Sequence, residues 1–453
     1  MPQTVADFII DTLIANDIDQ LYCLPGVQND DFFDALYDKQ EALRPIHARH
    51  EQGAAYMALG AAMATGKPQA FSVVPGPGFL NACAALSTAY AVNAPLFALI
   101  GQIPSGAIGK GYGLLHEIPD QLGTLRGLTK YAERISDGAN APEIVHTALK
   151  EMQSGRPRPV GVEVPVNVWK SPVDPGARAQ KIEAAARPTI DMTAIERAAR
   201  ALSDAKHPMI VVGGGAQHVS ADVTRLATAL NAPVMGYRSG QGVLPGDHDL
   251  SIGPPIGHAL WADVDVVLAL GTRLQIPQMQ WGTDADLKII HIDIDDAEVG
   301  RIAEPEVGIV ADLADALPPL FEAISPLAEG RADWAAKVKE TGADVGICFD
   351  GDADRVIFCD ENGQVIEGDR VLCLCAKALK EKGMLKGDTL VATVMSNLGM
   401  RDALAADGIA LETTDVGDRA VLERMREKGF NLGGENSGHI IYSDYATTGD
   451  GIM

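Results

Sequence analysis

Between Lys67 and Lys110 the chain carries no charged residue at all. A stretch of that length without charge has to leave water, either in a membrane or in a protein core. A membrane helix needs about 20 unbroken apolar residues. Here Pro75, Gly76, Pro77, Gly78, Asn81, Asn93 and Pro95 cut residues 68–109 into shorter pieces. The pieces read as a buried strand at 70–74, a Gly/Pro turn, a helix at 79–92 and a second buried strand at 96–100. That is a βαβ unit covered on both faces, which makes the fold class α/β with parallel sheets.

The rest of the chain extends this pattern. At about 150 residues per domain, 453 residues correspond to roughly three domains. Thr4 with Asp7 forms a capping-box start for a first helix, and a strand at 20–24 runs into Pro25-Gly26. Residues 171–190, rich in Pro and Ala, read as a linker. Thr193 with Glu196 is expected to cap a helix, and residues 209–215 read as a strand entering a triple-glycine turn. Strands at 264–270 and 289–294 complete a Rossmann-like block reaching about residue 335. The Gly213–Gly215 turn has no GxGxxG pattern, so a structural turn without flavin is expected. Beyond residue 340 the texture changes: four of the six cysteines lie there, and the loops become DGD, GDR and GEN turns. Cys373 and Cys375, two apart, read as sharing one face of a strand or helix start. No cysteines are spaced as CxxC, so all six are read as reduced structural thiols.

Charge narrows the function. Lys and Arg number 37 against 61 Asp and Glu, a net charge of −24. Neutralising phosphates needs a basic surface, so a nucleic-acid partner is not expected, nor is a membrane. The first residues lack the basic-then-apolar order of a signal peptide, and the chain is expected to be cytoplasmic.

Glu51 stands at the start of a helix of small residues, in the run His50-Glu51-Gln52-Gly53-Ala54-Ala55. On local pattern alone it is an ordinary acid favoured by a helix dipole. Its context says more: Leu24-Pro25-Gly26 precedes it, Val74-Pro75-Gly76-Pro77-Gly78 with Asn81 follows, and Gly161-Val162-Glu163-Val164-Pro165 comes later. In this order the motifs resemble the pyrimidine-binding and central domains of thiamine-diphosphate enzymes of the acetolactate synthase and 2-oxoacid decarboxylase type, over residues 1–335. The resemblance implies that Glu51 hydrogen-bonds the aminopyrimidine of the cofactor and favours the imino tautomer that deprotonates the thiazolium carbon. It also implies that Pro25, Gly26, Gly76, Pro77, Gly78 and Asn81 line the cofactor, and that lyase or transferase chemistry on a 2-oxoacid follows. A homodimer or homotetramer through the N-terminal domain is expected on the same grounds. His116 stands where that family often carries glutamine, and reads equally as an ordinary loop histidine.

A second constellation is Asp350-Gly351-Asp352-Ala353-Asp354-Arg355, set between apolar, strand-like flanks. Three acids so close repel one another unless a hard divalent cation sits among them. The EF-hand spacing of Asp350, Asp352, Asp354 and Glu361 fails, because Arg355 occupies the position that needs glycine. With residues 393–399 (TVMSNLG), 416–419 (VGDR), 434–439 (GENSGH) and 447–451 (TTGDG), this loop resembles the α-D-phosphohexomutases, phosphoglucosamine mutases in particular, over residues 338–453. The resemblance implies Mg²⁺ on Asp350, Asp352 and Asp354, a sugar held by Glu435 and Ser437, and substrate contacts from Arg355 and Arg419.

The two likenesses do not belong to one architecture. The expected layout is a pyrimidine-binding-like domain at 1–170, a linker at 171–190, a Rossmann-like central domain at 191–335 and a mutase-like segment at 343–453. Gly449-Asp450-Gly451 sits in the mutase pattern, so the diphosphate half of a thiamine site has no motif, and no Ser-His-Asn segment carries a phosphoryl group. The chain therefore reads as a fusion of two incomplete enzymes, inactive alone, with a partial thiamine diphosphate site and Mg²⁺. The alternatives are a working thiamine-diphosphate carboligase or decarboxylase, or phosphoglucosamine mutase (isomerase) activity, the substrate being a 2-oxoacid or a phosphosugar.

Overall fold

The computed structural model describes residues 2–246, 248–282, 286–324, 345–349, 356–360 and 365–445. They fall into two compact units, Met1–Thr189 and Ile190–Met453.

The first unit runs α1 (Val5–Ala15), β1 (Gln20–Cys23), α2 (Asp30–Tyr37), β2 (Arg44–His47), α3 (Glu51–Thr65), β3 (Gln69–Val73), α4 (Pro77–Val92), β4 (Leu96–Gln102), α5 (Gln121–Leu128), β5 (Tyr131–Arg134), α6 (Ala141–Gln153) and β6 (Val160–Pro165). Its strands pair in parallel in the order β2-β1-β3-β4-β6-β5. The charge-free stretch supplies the centre of this sheet. Alternate residues of β4 feed opposite cores: Phe97 and Leu99 join α1 and α6, whereas Leu96, Ala98 and Ile100 join α3 and α4. The Thr4–Asp7 capping box forms, with Asp7 N–H donating to Thr4 Oγ1 at 3.1 Å and Thr4 N–H to Asp7 Oδ2 at 3.3 Å. The next N–H groups of α1 are taken by the far end of the unit. Val5 donates to the Ser171 carbonyl at 2.9 Å and Ala6 to that of Trp169 at 3.0 Å. Residues 173–190 form no helix or strand, yet Asn16 binds the backbone of Gln180 and Ile182, which ties this arm to α1.

The second unit begins with α7 (Met192–Asp204), β7 (Pro208–Val212), α8 (Ser220–Leu230), β8 (Val234–Gly236), β9 (Ser251–Ile252), α9 (Pro254–Leu260), β10 (Val266–Leu270), β11 (Lys288–Asp293), β12 (Val307–Val310) and α10 (Leu313–Ile324). These strands form a second parallel sheet, β12-β11-β10-β7-β8-β9. Asp191, rather than Thr193, caps α7; its Oδ1 accepts from Thr193 N–H at 2.9 Å and Ala194 N–H at 3.2 Å. At the N-cap the Asp191 carboxylate reaches the first free amides, which Thr193, already inside the helix, cannot do. In the triple-glycine turn, Gly213 N–H donates to Leu270 O at 3.0 Å and Gly215 N–H to Gly271 O at 3.2 Å. A side chain at Gly213 would overlap the Gly271 carbonyl, so close backbone approach accounts for glycine there.

Further on come β13 (Val345–Phe349), β14 (Val356–Asp360), β15 (Val365–Ile366), α11 (Gly368–Glu381), β16 (Thr389–Thr393), α12 (Leu398–Ala406), β17 (Ala410–Thr414), α13 (Asp418–Lys428), β18 (Leu432–Gly434) and β19 (Ile440–Tyr442). β13, β14 and β15 pair antiparallel. β17-β16-β18-β19 is a mixed sheet, parallel except for its last pair. α11 and α12 cover one face through Leu372, Ala376, Met400 and Leu404, and α13 covers the other through Val421 and Met425. Cys373 and Cys375 lie inside α11 and do not share a face, because residues two apart on a helix are about 200° apart. Burial pushes both thiols up, Cys373 lying near the Met400 carbonyl and Cys375 near Tyr442. Cys23 and Cys83 are likewise unpaired, and burial pushes each up to about 11. Among the described residues no helix is long and apolar enough to cross a membrane.

Candidate functional site

In the first unit the motifs meet at the carboxyl ends of β1 and β3. Gly26 follows β1, the Pro75–Gly78 turn follows β3, and Glu51 opens α3 behind its N-cap His50. Val74 is the hub. A Cβ at Gly26 would stand 2.6 Å from Val74 Cγ1, and one at Gly78 would stand 2.6 Å from Val74 Cγ2 and 3.5 Å from Glu51 Oε1. Glycine at both positions lets two loops close on one valine and leaves the Glu51 carboxylate uncrowded. Glu51 is half-buried, and Asn81 Nδ2 donates to its Oε2 at 3.0 Å. Among the described residues no other side chain bonds this carboxylate, so Oε1 is left for a donor from outside. Pro25 and Pro77, next to Gly26 and Gly78 in the chain, are exposed.

Gly76 sits at φ +58°, and a Cβ there would overlap the His116 carbonyl. His116 itself has φ +70°, and its Nδ1 lies 3.1 Å from Gln28 Oε1. Gln28 Nε2 donates to Leu115 O at 3.3 Å, so a buried glutamine after β1 anchors the loop that crosses the Gly/Pro turn.

Beneath that turn lies a polar network that the motif reading passed over. Glu163 on β6 is fully buried and ion-pairs with Arg134 of β5, its register partner. Gln121 Nε2 donates to Glu163 Oε2 and to Gly101 O, both at 2.9 Å. Its Oε1 accepts from Gly76 N–H at 2.8 Å. One signal for it was in the sequence: a lone acid inside the otherwise apolar strand Val160–Pro165 demands a partner.

In the second unit the mutase-type residues separate. Loops after β16, β17 and β18 adjoin at the carboxyl ends of their strands, where the covering helices change face; ligands of open α/β sheets bind at such points. Glu435 Oε1 accepts from Gly417 N–H at 2.9 Å, joining two of these loops. Asp369 Oδ2 accepts from Asn397 N–H at 2.7 Å and fixes the third. Ser437 is exposed beside Glu435. Arg419 is not brought to them: its Nε donates to Glu423 Oε1 at 2.8 Å, one turn along α13, and the side chain is 88% exposed. Asp350, Asp352, Asp354 and Arg355 lie outside the described residues, between the paired strand ends Phe349 and Val356. Among the described residues no three His, Cys, Asp or Glu side chains gather closely enough to hold a metal ion.

Comparison with known families assigns four stretches of the chain, the thiamine-enzyme matches reaching into the second unit. Residues 3–124 match the thiamine pyrophosphate enzyme N-terminal TPP binding domain, and residues 195–320 match the central domain of those enzymes. Residues 311–363 match the alpha/beta/alpha domain II of phosphoglucomutase/phosphomannomutase, and residues 367–453 match domain III. Among curated relatives, phosphoglucosamine mutase of Anoxybacillus flavithermus is 60% identical over 119 residues, 26% of this chain and 27% of its own length. That of Jannaschia sp. is 61% identical over 119 residues, with the same shares. That of Xanthobacter autotrophicus is 47% identical over 177 residues, 39% of this chain and 34% of its own length. The chain thus spans between a quarter and about a third of the length of these relatives. Residues 1–335 resemble the thiamine-diphosphate-dependent enzyme superfamily and residues 338–453 the phosphoglucosamine mutases, the two likenesses joined in one fusion-like α/β chain.

Proposed function

We propose that the first unit binds the aminopyrimidine end of thiamine diphosphate on Glu51, and that the chain derives from a 2-oxoacid-converting enzyme fused to part of a phosphoglucosamine mutase. One observation carries the reading: a half-buried carboxylate at the head of a Gly/Ala helix, steadied by Asn81 on one oxygen and left open on the other beside Gly78. A carboxylate in this setting accepts a ring N–H and stabilises the protonated ring. Gly26, Gly76 and Gly78 let their loops close on Val74 and on the His116 carbonyl beside Glu51, and Pro25 and Pro77 next to them are exposed. When bound, the cofactor supplies the carbanion-stabilising chemistry that amino-acid side chains lack. The residues present fit the pyrimidine, and no motif of this chain fits the diphosphate. We infer accordingly that the chain alone binds the cofactor without converting 2-oxoacids. Tyr56, Met57 and Met63 of α3 and Leu80 of α4 are exposed, which favours assembly through this unit as a homodimer or homotetramer.

Calorimetry with thiamine diphosphate and Mg²⁺, beside a pyruvate turnover assay, tests the proposal. Binding that Glu51→Gln weakens at least tenfold, without turnover, supports it. Turnover of pyruvate sinks the inactive reading, and binding indifferent to Glu51→Gln sinks the role of Glu51.

For the mutase-like segment, the 60% identity to phosphoglucosamine mutase over 119 residues supports metal contacts from Asp350, Asp352 and Asp354 and sugar contacts from Glu435 and Ser437. Mg²⁺ keeps water in its shell readily, so the three aspartates suffice for weak binding without a phosphoryl oxygen. Arg419 would need a new rotamer to reach a substrate beside Glu435, since it is engaged with Glu423.

A further inference from the structure

We propose that Gln121 and Glu163 are positioning residues that hold the Gly/Pro turn, and through it Asn81, in register with Glu51; the proposal rests on the reading of Glu51 as the aminopyrimidine contact. The observation behind it is a directional hydrogen-bond chain with a fixed sense. Glu163 is fully buried, accepts from Gln102 Nε2 at 3.1 Å and Gln121 Nε2 at 2.9 Å, and is ion-paired to Arg134, so all three partners donate to it. Gly101 O, a second acceptor, faces the same Gln121 nitrogen. Two acceptors at one end leave the amide a single orientation, with Oε1 aimed at Gly76 N–H.

That N–H belongs to a residue the backbone would not hold there by itself. Gly76 has φ +58° and ψ −118°, a conformation almost confined to glycine, and it is the N-cap of α4 without any side-chain cap. Gln121 therefore fixes the angle at which α4 leaves β3. Asn81 lies on the second turn of α4 and reaches Glu51, so a tilt of the helix start alters the Asn81–Glu51 bond directly. Among the described residues no hydrogen bond joins Glu163 to Glu51 or Asn81, so the hydrogen-bond route from Glu163 to the Gly/Pro turn runs through Gln121.

Substituting Glu163→Gln tests the direction of the chain. It keeps the volume but introduces a donor, which frees the Gln121 amide to turn and removes the acceptor from Gly76. Gln121→Leu removes the link outright. Both variants of the full chain are compared with the wild type by circular dichroism, by amide hydrogen exchange at Gly76 and by thiamine diphosphate calorimetry. Expected are retained dichroism, at least tenfold faster Gly76 exchange and at least fivefold weaker binding. Should Gln121→Leu fail to fold, Glu163→Gln carries the test alone. Unchanged Gly76 exchange in a folded variant overturns the relay, and so does faster exchange with wild-type affinity. A wild type that binds no thiamine diphosphate, with exchange still faster in the variants, overturns the Glu51 reading and locates the failure there rather than in the hydrogen-bond chain.

Discussion

Gly76 concentrates the constraints at residue scale. Its φ of +58° costs a non-glycine residue on the order of 1–3 kcal/mol, and the Cβ overlap with His116 O adds to that. Gly76→Ala is expected to lower the melting temperature by several degrees, at about 2–4 °C per kcal/mol for a unit of this size. Glu51→Gln, nearly isosteric and half-buried, should move it by less than a degree or two; a large drop measured by calorimetry would make Glu51 structural. His146 offers a pH test. Its Nε2 is buried without a hydrogen-bond partner, its ring packs 5.6 Å from that of Phe8, and burial pushes its pKa below the ordinary 6.5. The unfolded chain then binds the proton more readily than the folded one. Stability contributed by the neutral ring is complete above pH 6.5 and falls as pH drops below it, towards the lower folded pKa. Melting curves between pH 7.5 and about 5 should show that slope, and His146→Phe should flatten it.

At the scale of elements, α1 depends on its cap. Thr4→Ala removes the hydroxyl arm of the capping box, leaving only the Thr4 N–H to Asp7 bond, and is expected to cost about 1 kcal/mol, read as a lower denaturant midpoint with an unchanged slope. This cap was legible because both partners sit three residues apart. So was the centre of the first sheet: strands covered on both faces are apolar at every position, and β3, α4 and β4 lie within two residues of the expected bounds at each end. α4 begins at Pro77 rather than Phe79 because proline suits the first turn of a helix. The convergence of Gly26, Glu51, Gly78 and Asn81 was suggested by motif order, but their common support on Val74 was not, since it depends on two loops approaching in space. Gln121 and Glu163 were hidden for the same reason: 42 positions separate them, and only the strand order β4-β6-β5 brings them together. Arg419 went the other way, because a glutamate one turn along its own helix reaches it first.

For the whole molecule, the junction between the two likenesses has a physical position. The thiamine-type and mutase-type matches overlap at residues 311–320, and α10 (Leu313–Ile324) packs its Leu317, Leu320 and Ile324 into the central core with α7 and α8. The α10 helix is therefore built into the central domain, whichever family its sequence resembles. The mutase-type segment should respond to metal: millimolar Mg²⁺ is expected to raise the melting temperature modestly, and Asp352→Asn to remove most of that shift. A melting curve unchanged up to tens of millimolar would defeat the three-aspartate site. The bonds from Val5 and Ala6 to Ser171 and Trp169 bear on how the chain is made. During synthesis α1 leaves the ribosome well before residues 169–171, yet its leading amides find their carbonyls only when those residues emerge. At about 5–20 residues per second, that is a wait of roughly 10–30 seconds. Until then two of the leading amides of α1 lack these partners, and the first unit ties off its first helix only after its last strand has been made.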